Sequence, residues 1–336
     1  MAKRALIIGV SGQDGSYLAQ HLLTLGYEVV GLSRDAETHS FTNLVRLGIK
    51  DRLVLDSISP TDFRSVVQVF GRYEPDEVYN LSGQSSVGLS FSQPVETIDS
   101  HLQATIIILE VIKFLNKPIR FYNACSSECF GETDPNHPAS ELTPFRPRSP
   151  YALGKSASFW AVDNYREAYG LFACSGILGN HESPLRSSRF VTQKVIAAAG
   201  NIRDGSQDKL YLGNTAIVRD WGWAPEYVVA MHGMLNLDFA TDFVIATGHS
   251  CALSDFVDLV FRAHDLDSQD HVEIKTDFLR PTDIKSCYLN PQKAKAQLNW
   301  EAQKNVTDVV EALVDAYHQQ PNEHDAKGTK QNQRPC

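Results

Sequence analysis

Continuous apolar runs alternate with segments of helical periodicity through the first 125 residues. Ala5 to Gly9 (ALIIG) carries no polar side chain and predicts a strand buried on both faces. Ser16 to Leu25 spaces Leu18, Leu22 and Leu23 as a helix does, and Tyr27 to Leu32 (YEVVGL) predicts the next strand. The pattern then repeats. Leu53 to Leu55 is a short strand, Phe63 to Phe70 a helix, Glu77 to Leu81 a strand, His101 to Leu115 a long apolar helix and Ile119 to Ala124 a strand. This alternation predicts an α/β fold, a doubly wound parallel sheet with right-handed crossovers covering both faces.

From about residue 180 the pattern changes. Asn180 to Arg189 is polar and rich in Ser, Pro and Arg, and reads as a long functional loop. Phe190 to Asn201, Asp255 to Ala263 and Val306 to Tyr317 read as helices. The chain is therefore divided into a first domain over 1–180 and a smaller C-terminal, substrate-binding lobe over 181–317. The strand Phe243 to Ala246 belongs either to that lobe or back in the main sheet. The polar stretch 318–336 is expected to be disordered.

Ligands of such sheets sit at the carboxyl ends of the strands. After the first strand comes Gly9-Val-Ser11-Gly12-Gln13-Asp14-Gly15. A strand–glycine loop–helix unit within about 30 residues is the Rossmann dinucleotide fingerprint: a tight turn, close backbone approach to a pyrophosphate, and close helix–strand packing. The bland alternative is a loop of incidental glycines. The second strand ends in Ser33-Arg34-Asp35. An acidic residue there would hold the ribose 2′-hydroxyl of NAD, whereas an Arg accommodates the 2′-phosphate of NADP. Ser33 and Arg34 come first, so NADP is the expected cofactor. Asp56 and Ser57 after the third strand, and Leu81, Ser82 and Gln84 after the fourth, complete the expected cofactor wall.

Tyr151 and Lys155 form a Tyr-x-x-x-Lys pair, which a helix places on one face. A Lys⁺ beside the phenol is expected to favour its anion and make it a base, and the same Lys can hold the nicotinamide ribose. Asn123-Ala-Cys-Ser126-Ser127-Glu128 supplies a hydroxyl partner at a strand end, Ser126 or Ser127. Glu128 discriminates further. A carboxylate there can remove a proton next to a ketone, which oxidation alone does not need. The alternative for Glu128 is a helix-start carboxylate favoured by the dipole.

With these motifs in hand, the chain resembles the GDP-mannose 4,6-dehydratases of the extended short-chain dehydrogenase/reductase superfamily. The resemblance runs over nearly the whole length, through GVSGQDGSYLAQHLL, SSECFGE, TPFRPRSPYALGKSASFW, GNHESP, RDWGWAPEYV and RPTDIK. It implies that Ser126, Glu128, Tyr151 and Lys155 are catalytic. It implies that His181 and Arg186 line the nicotinamide end of the cofactor. It places Asn180, Val191, Lys194, Gly213, Arg219, Arg280 and Asp283 on the GDP-sugar, with Arg219 and Arg280 near its diphosphate or ribose, and Ser85, Ser126, Ser127, Glu128 and Tyr151 on the sugar side. The implied reaction oxidises C4, eliminates water across C5 and C6, and returns the hydride to C6. GDP-mannose is the implied substrate. A related GDP-sugar such as a GDP-manno-heptose, a GDP-sugar reductase or epimerase, and a cofactor-binding regulatory protein without catalysis are the alternatives.

Composition narrows the partners. A net charge of −9 argues against a general nucleic-acid binder. The apolar N-terminal run is too short for a signal peptide, and no later run is long enough for a membrane span, so a cytoplasmic protein is expected. The six cysteines show no metal-ligand spacing and no disulfide framework, so no metal is expected. The resemblance implies a homodimer or homotetramer whose contact buries the helices His101 to Leu115 and Pro150 to Tyr169.

Overall fold

The computed structural model describes residues 2–319. The strands β1 (Arg4–Ile8), β2 (Glu28–Ser33), β3 (Val54–Ser57), β4 (Glu77–Asn80), β5 (Arg120–Ser126) and β6 (Ala173–Leu178) build the main sheet. β7 (Asn180–Glu182), β8 (Leu210–Leu212) and β9 (Val218–Trp223) lie outside it. β10 (Phe243–Ile245) returns to it as the seventh strand, beside β6. The order is β10-β6-β5-β4-β1-β2-β3, and every pairing is parallel. This is the Rossmann arrangement, in which the strand order reverses between β1 and β4 and opens a crevice at their carboxyl ends.

The ALIIG run is uniformly apolar because each face of β1 meets a different core. Ala5 and Ile7 join Leu18, Leu22, Tyr79 and Met231 on one side. Leu6 and Ile8 join Val66, Phe70, Ile108 and Phe121 on the other. The helix Ala224–Leu235, which the sequence pattern did not single out, packs against Gln13–Thr24 in the first of these cores. β6 was likewise unassigned. Its sequence ACSGIL is buried at every position between β5 and β10.

The remaining elements form a second layer of structure over the carboxyl edge. β11 (Ser250–Ala252), β9 and β7 make a three-stranded sheet, and β12 (Val272–Ile274) pairs with β8. The helices Val191–Arg203, Leu253–Arg262 and Val306–His318 share a core of Val195, Phe256, Phe261, Val309 and Leu313. The stretch from Asn180 is not a plain loop. Its first three residues are β7, and His181, Glu182 and Ser183 are buried. His318 closes the last helix, so the expected disorder from 318 does not hold at that residue. Residues 320–336, with Cys336, lie outside the described residues.

Candidate active site

The carboxyl ends of β1, β2, β4, β5 and β6 open into one cleft of about 2080 Å³, closed from above by β7, the start of helix Val191–Arg203 and residues around Gly213 and Arg280. At the β1 end, Gly9 has φ +94°, and a Cβ there would stand 2.8 Å from the Leu81 carbonyl oxygen. A Cβ on Gly15 would meet the Gly9 carbonyl oxygen at 2.3 Å, so the helix can lie this close to β1 only with glycine. Gly12 is the N-cap of helix Gln13–Thr24 and brings no capping side chain, which leaves the first-turn N–H groups for an anion.

The glycine loop is tied to β7. Gln13 donates to the His181 carbonyl oxygen at 3.2 Å and accepts from the Ser183 hydroxyl at 2.7 Å. His181 Nε2 lies 3.0 Å from both Asp14 oxygens, its Nδ1 faces the Gly179 carbonyl at 2.8 Å, and its ring stacks on Tyr227. Burial pushes the Asp14 carboxyl up, but the His181 charge and hydrogen bond outweigh it and bring the pKa down to about 2. Burial likewise pulls His181 down, and Asp14 raises it above its ordinary 6.5 by more. Two linkage signs follow. The Asp14 contribution is present above its unfolded value of 3.8 and is lost as pH falls through about 2. The His181 contribution is present below 6.5 and is lost as pH rises through its raised folded value. Asp14→Asn should therefore destabilise the protein by on the order of 1 kcal/mol between pH 3.8 and 6.5. The gap should close at alkaline pH. Thermal denaturation of both proteins across pH 4–9 checks this, and a deficit that stays constant to pH 9 counts against the pair.

At the β5 end, Ser126 caps the short turn Ser127–Phe130, and its Oγ accepts from the Glu128 N–H at 3.3 Å. Glu128 therefore starts a one-turn helix, and its side chain also lines the cleft. Tyr151 enters from the first turn of helix Pro150–Tyr169, which Ser149 caps and Pro150 pre-organises. Burial raises the Tyr151 phenol, and a hydrogen bond from Ser126 opposes that rise. Lys155 follows one turn later on the same helix. Its Nζ donates to the Ala124 carbonyl at 2.7 Å and stands 6.0 Å from the centre of the Tyr151 ring. Lys155 is thus held by the end of β5.

Arg219 on β9 is 3% exposed and is almost fully engaged. It donates to the Val218 and Ile284 carbonyls at 3.0 and 2.9 Å, to Glu128 Oε1 at 3.3 Å and to Asp283 Oδ1 at 3.4 Å. Arg280 reaches the same Asp283 oxygen at 3.3 Å. A guanidinium expected on the substrate's diphosphate is thus also the group that orients Glu128.

The cleft brings together nearly all of the residues expected from the sequence, including Ser11, Ser33, Arg34, Ser82, Gln84, Ser85, Asn180, Arg186, Val191, Lys194 and Gly213. Asp56, Ser57 and Ser127 do not line it. Asp56 accepts from Arg72 and from the Tyr73 hydroxyl at 2.8 Å, and Ser57 accepts from the Ala36 N–H, so both are spent on neighbouring elements. Ser127 is buried in the turn, whereas Ser126 lines the cleft. His101 was missed. A π-helical turn, Asp99–Gln103, precedes helix Ala104–Leu115 and swings His101 edge-on to Tyr151, with its Nε2 2.9 Å from the Gln84 carbonyl. Apolar periodicity carries no signal for an inserted π turn.

A family model for GDP-mannose 4,6 dehydratase matches residues 6–313. The chain belongs to the GDP-mannose 4,6-dehydratase family. A GDP-mannose 4,6 dehydratase of Arabidopsis thaliana is 42% identical over 93% of this chain and 89% of its own length. The Vibrio cholerae GDP-mannose 4,6-dehydratase is 37% identical over 94% of this chain and 93% of its own. Among solved structures, the dTDP-glucose 4,6-dehydratase of Bacillus anthracis superposes with a TM-score of 0.83 at 18% identity, covering 96% of this chain and 98% of that one. That likeness carries the fold. Glu128, Tyr151 and Lys155 line the same cleft.

Proposed function

We propose that this chain dehydrates GDP-mannose to GDP-4-keto-6-deoxymannose with NADP as cofactor. The observation that carries the reading is the convergence of Glu128, Ser126 and Tyr151 on one cleft whose other end is a glycine loop and an uncapped helix N-terminus. The donor set fits a dinucleotide, because the Gly9 and Gly15 positions have no room for a Cβ and Gly12 leaves the helix start open. Gly12 to Gly15 would hold the pyrophosphate, and Lys155 the nicotinamide ribose. When bound, NADP⁺ supplies the hydride acceptor for C4 and the hydride returned to C6. Tyr151 takes the proton of the sugar 4-hydroxyl, with Ser126 lining the same cleft. Glu128 takes the C5 proton, acidified by the new ketone, and passes it to the C6 hydroxyl, which leaves as water. Incubation of the purified protein with a panel of GDP-sugars tests the reading. A 4-keto product from GDP-mannose supports it. No product with GDP-mannose but turnover of a longer GDP-sugar reassigns the substrate, and reduction or epimerisation alone rejects dehydration.

The preference for NADP rests on Arg34, which lines the cleft after β2. Asp35 does not compete for the ribose. Its carboxylate accepts from the Glu37 and Thr38 N–H groups at 3.0 Å and from the Thr38 hydroxyl at 2.7 Å. Arg34→Ala should narrow the NADP-over-NAD preference by about tenfold or more, since a charge-assisted hydrogen bond is worth about 1.5–3 kcal/mol. Titration of both cofactors against both proteins measures it. Equal affinities in the wild type count against the assignment.

We also infer a homodimer. The apolar face of Ala104–Leu115 is spent on the sheet, with Ile108, Leu109, Val111 and Ile112 buried. Helix Pro150–Tyr169 instead presents Leu153 and Trp160, seven residues apart on one face, at 50% and 56% exposure. Trp160→Glu should lower the solution mass from dimer to monomer at micromolar concentration. A monomeric wild type refutes the inference.

A further inference from the structure

The catalytic turn is bracketed by two thiols. Cys125 is the residue before Ser126 and Cys129 the residue after Glu128, and their Sγ atoms lie 3.6 Å apart. Both are buried, but not equally placed. Cys125 forms part of the cleft wall, whereas Cys129 lies behind it with its Sγ 3.6 Å from the Ala152 carbonyl. The ladder between β5 and β6 treats them differently as well. Cys125 is fixed opposite Ile177 and Ser126 opposite Leu178, while the residues beyond Ser126 belong to a short turn. From this geometry we propose that Cys125 and Cys129 form an oxidation-sensitive dithiol, cross-linked by small hydroperoxides that enter through the cofactor cleft.

The chemistry balances with hydrogen peroxide as the oxidant. The Cys125 sulfur attacks one peroxide oxygen, the O–O bond breaks, and hydroxide leaves with the thiol proton as water. Cys125 is then a sulfenic acid. The Cys129 sulfur attacks that sulfur, and the sulfenic hydroxyl departs with the Cys129 proton as a second water. Two thiols are oxidised by two electrons and one peroxide is reduced. The order follows from access, since only Cys125 faces the cleft. Cys129 is placed for the second step by the 3.6 Å approach of its sulfur to that of Cys125.

The cross-link would act on the residues between the thiols. A disulfide needs its sulfurs about 2.0 Å apart, so the gap must close by more than an ångström. β5 is held by its ladder, so the movement falls on Ser127 to Phe130. The contacts that change are the Glu128 N–H to Ser126 Oγ bond and the 3.3 Å pair between Glu128 and Arg219. A shift of about 1 Å in such a group costs about 10²-fold in rate. This consequence for catalysis rests on the dehydratase reading, whereas the cross-link itself does not.

The test treats the purified full chain with hydrogen peroxide and maps its tryptic peptides. The peptide 121–148 contains both thiols and no other cysteine. The expected result is loss of two hydrogens from that peptide, reversed by dithiothreitol and slowed by saturating NADP⁺, with dehydration falling about 10²-fold and recovering on reduction. Cys129→Ala, measured against its own activity before oxidation, should lose the reversible component of inactivation. A peptide that stays reduced while the half-buried Cys251 is oxidised overturns the proposal, as does a Cys129→Ala protein inactivated as reversibly as the wild type. Because the mapping reads mass and not turnover, a cross-link in a protein inactive on GDP-mannose would leave the dithiol standing and remove only the assigned reaction.

Discussion

Glu128→Gln should lower dehydration by about 10²–10⁴-fold, the usual worth of a positioned acid–base group. NADP binding should be left nearly unchanged. The substitution keeps the shape of the side chain and an oxygen for Arg219, which stands 3.3 Å from Glu128 Oε1. What it removes is the capacity to take a proton. The proposed cofactor contacts, at the glycine loop and Arg34, lie elsewhere in the cleft, so titration with NADP⁺ should not separate variant from wild type by more than a small factor. C4 oxidation depends on Tyr151 and should survive, so reduced nicotinamide should accumulate in a single turnover instead of being consumed by return to C6. Solvent-deuterium incorporation at C5, measured alongside product, locates the block. A variant that dehydrates and exchanges C5 at near wild-type rates would show Glu128 to be a helix-start carboxylate only, and elimination would need another base.

The same carboxylate shows which parts of the site could be read from the chain. Glu128 was visible because it follows a strand-end serine in sequence and because the family motif includes it. Its partner Arg219 was visible as a residue but not in this role. Arg219 is 91 positions away on β9, and only the folding of β7, β9 and β11 over the main sheet brings it to Glu128. Asp56 and Ser57 failed for the opposite reason. They are the last two residues of β3 itself, which is the sheet edge and not at the reversal between β1 and β4, and local partners Arg72, Tyr73 and Ala36 take their polar atoms. His101 carries no local sign of its role, because a π turn breaks the register that apolar spacing measures.

The fold divides along similar lines. The strands of the first half were legible because burial on both faces leaves uninterrupted apolar runs, as in ALIIG. The return of β10 was an open choice, since three residues carry too little pattern to select a sheet. The packing of Phe243 to Ile245 along β6 decides it. Helix Ala224–Leu235 was hidden by its own burial. It is apolar on most sides, with Tyr227, Met231 and Met234 all enclosed, so it lacks the polar face that marks a surface helix.

Tyr151→Phe should suppress the first chemical step and everything after it. With no hydroxyl to take the 4-hydroxyl proton, the variant should form neither reduced nicotinamide nor 4-keto product, and C5 exchange should vanish because no ketone acidifies C5. This separates it from Glu128→Gln, which should still reduce the cofactor. The expected loss is about 10²–10⁴-fold. Two neighbours bear on the Tyr151 phenol. Burial raises it, the Ser126 hydrogen bond lowers it, and Lys155 Nζ is turned to the Ala124 carbonyl. Removing the Ser126 hydroxyl should let the phenol rise further. In Ser126→Ala the acidic limb of the kcat/KM profile should therefore move to higher pH, since a base with a raised pKa is deprotonated only at higher pH. Lys155→Met should weaken cofactor binding and shift that limb less. The pH profiles of the wild type and the two variants, recorded on GDP-mannose, measure the difference. A larger shift in Lys155→Met than in Ser126→Ala would mean that Lys155 leaves the Ala124 carbonyl and acts on Tyr151 directly once the cleft is filled.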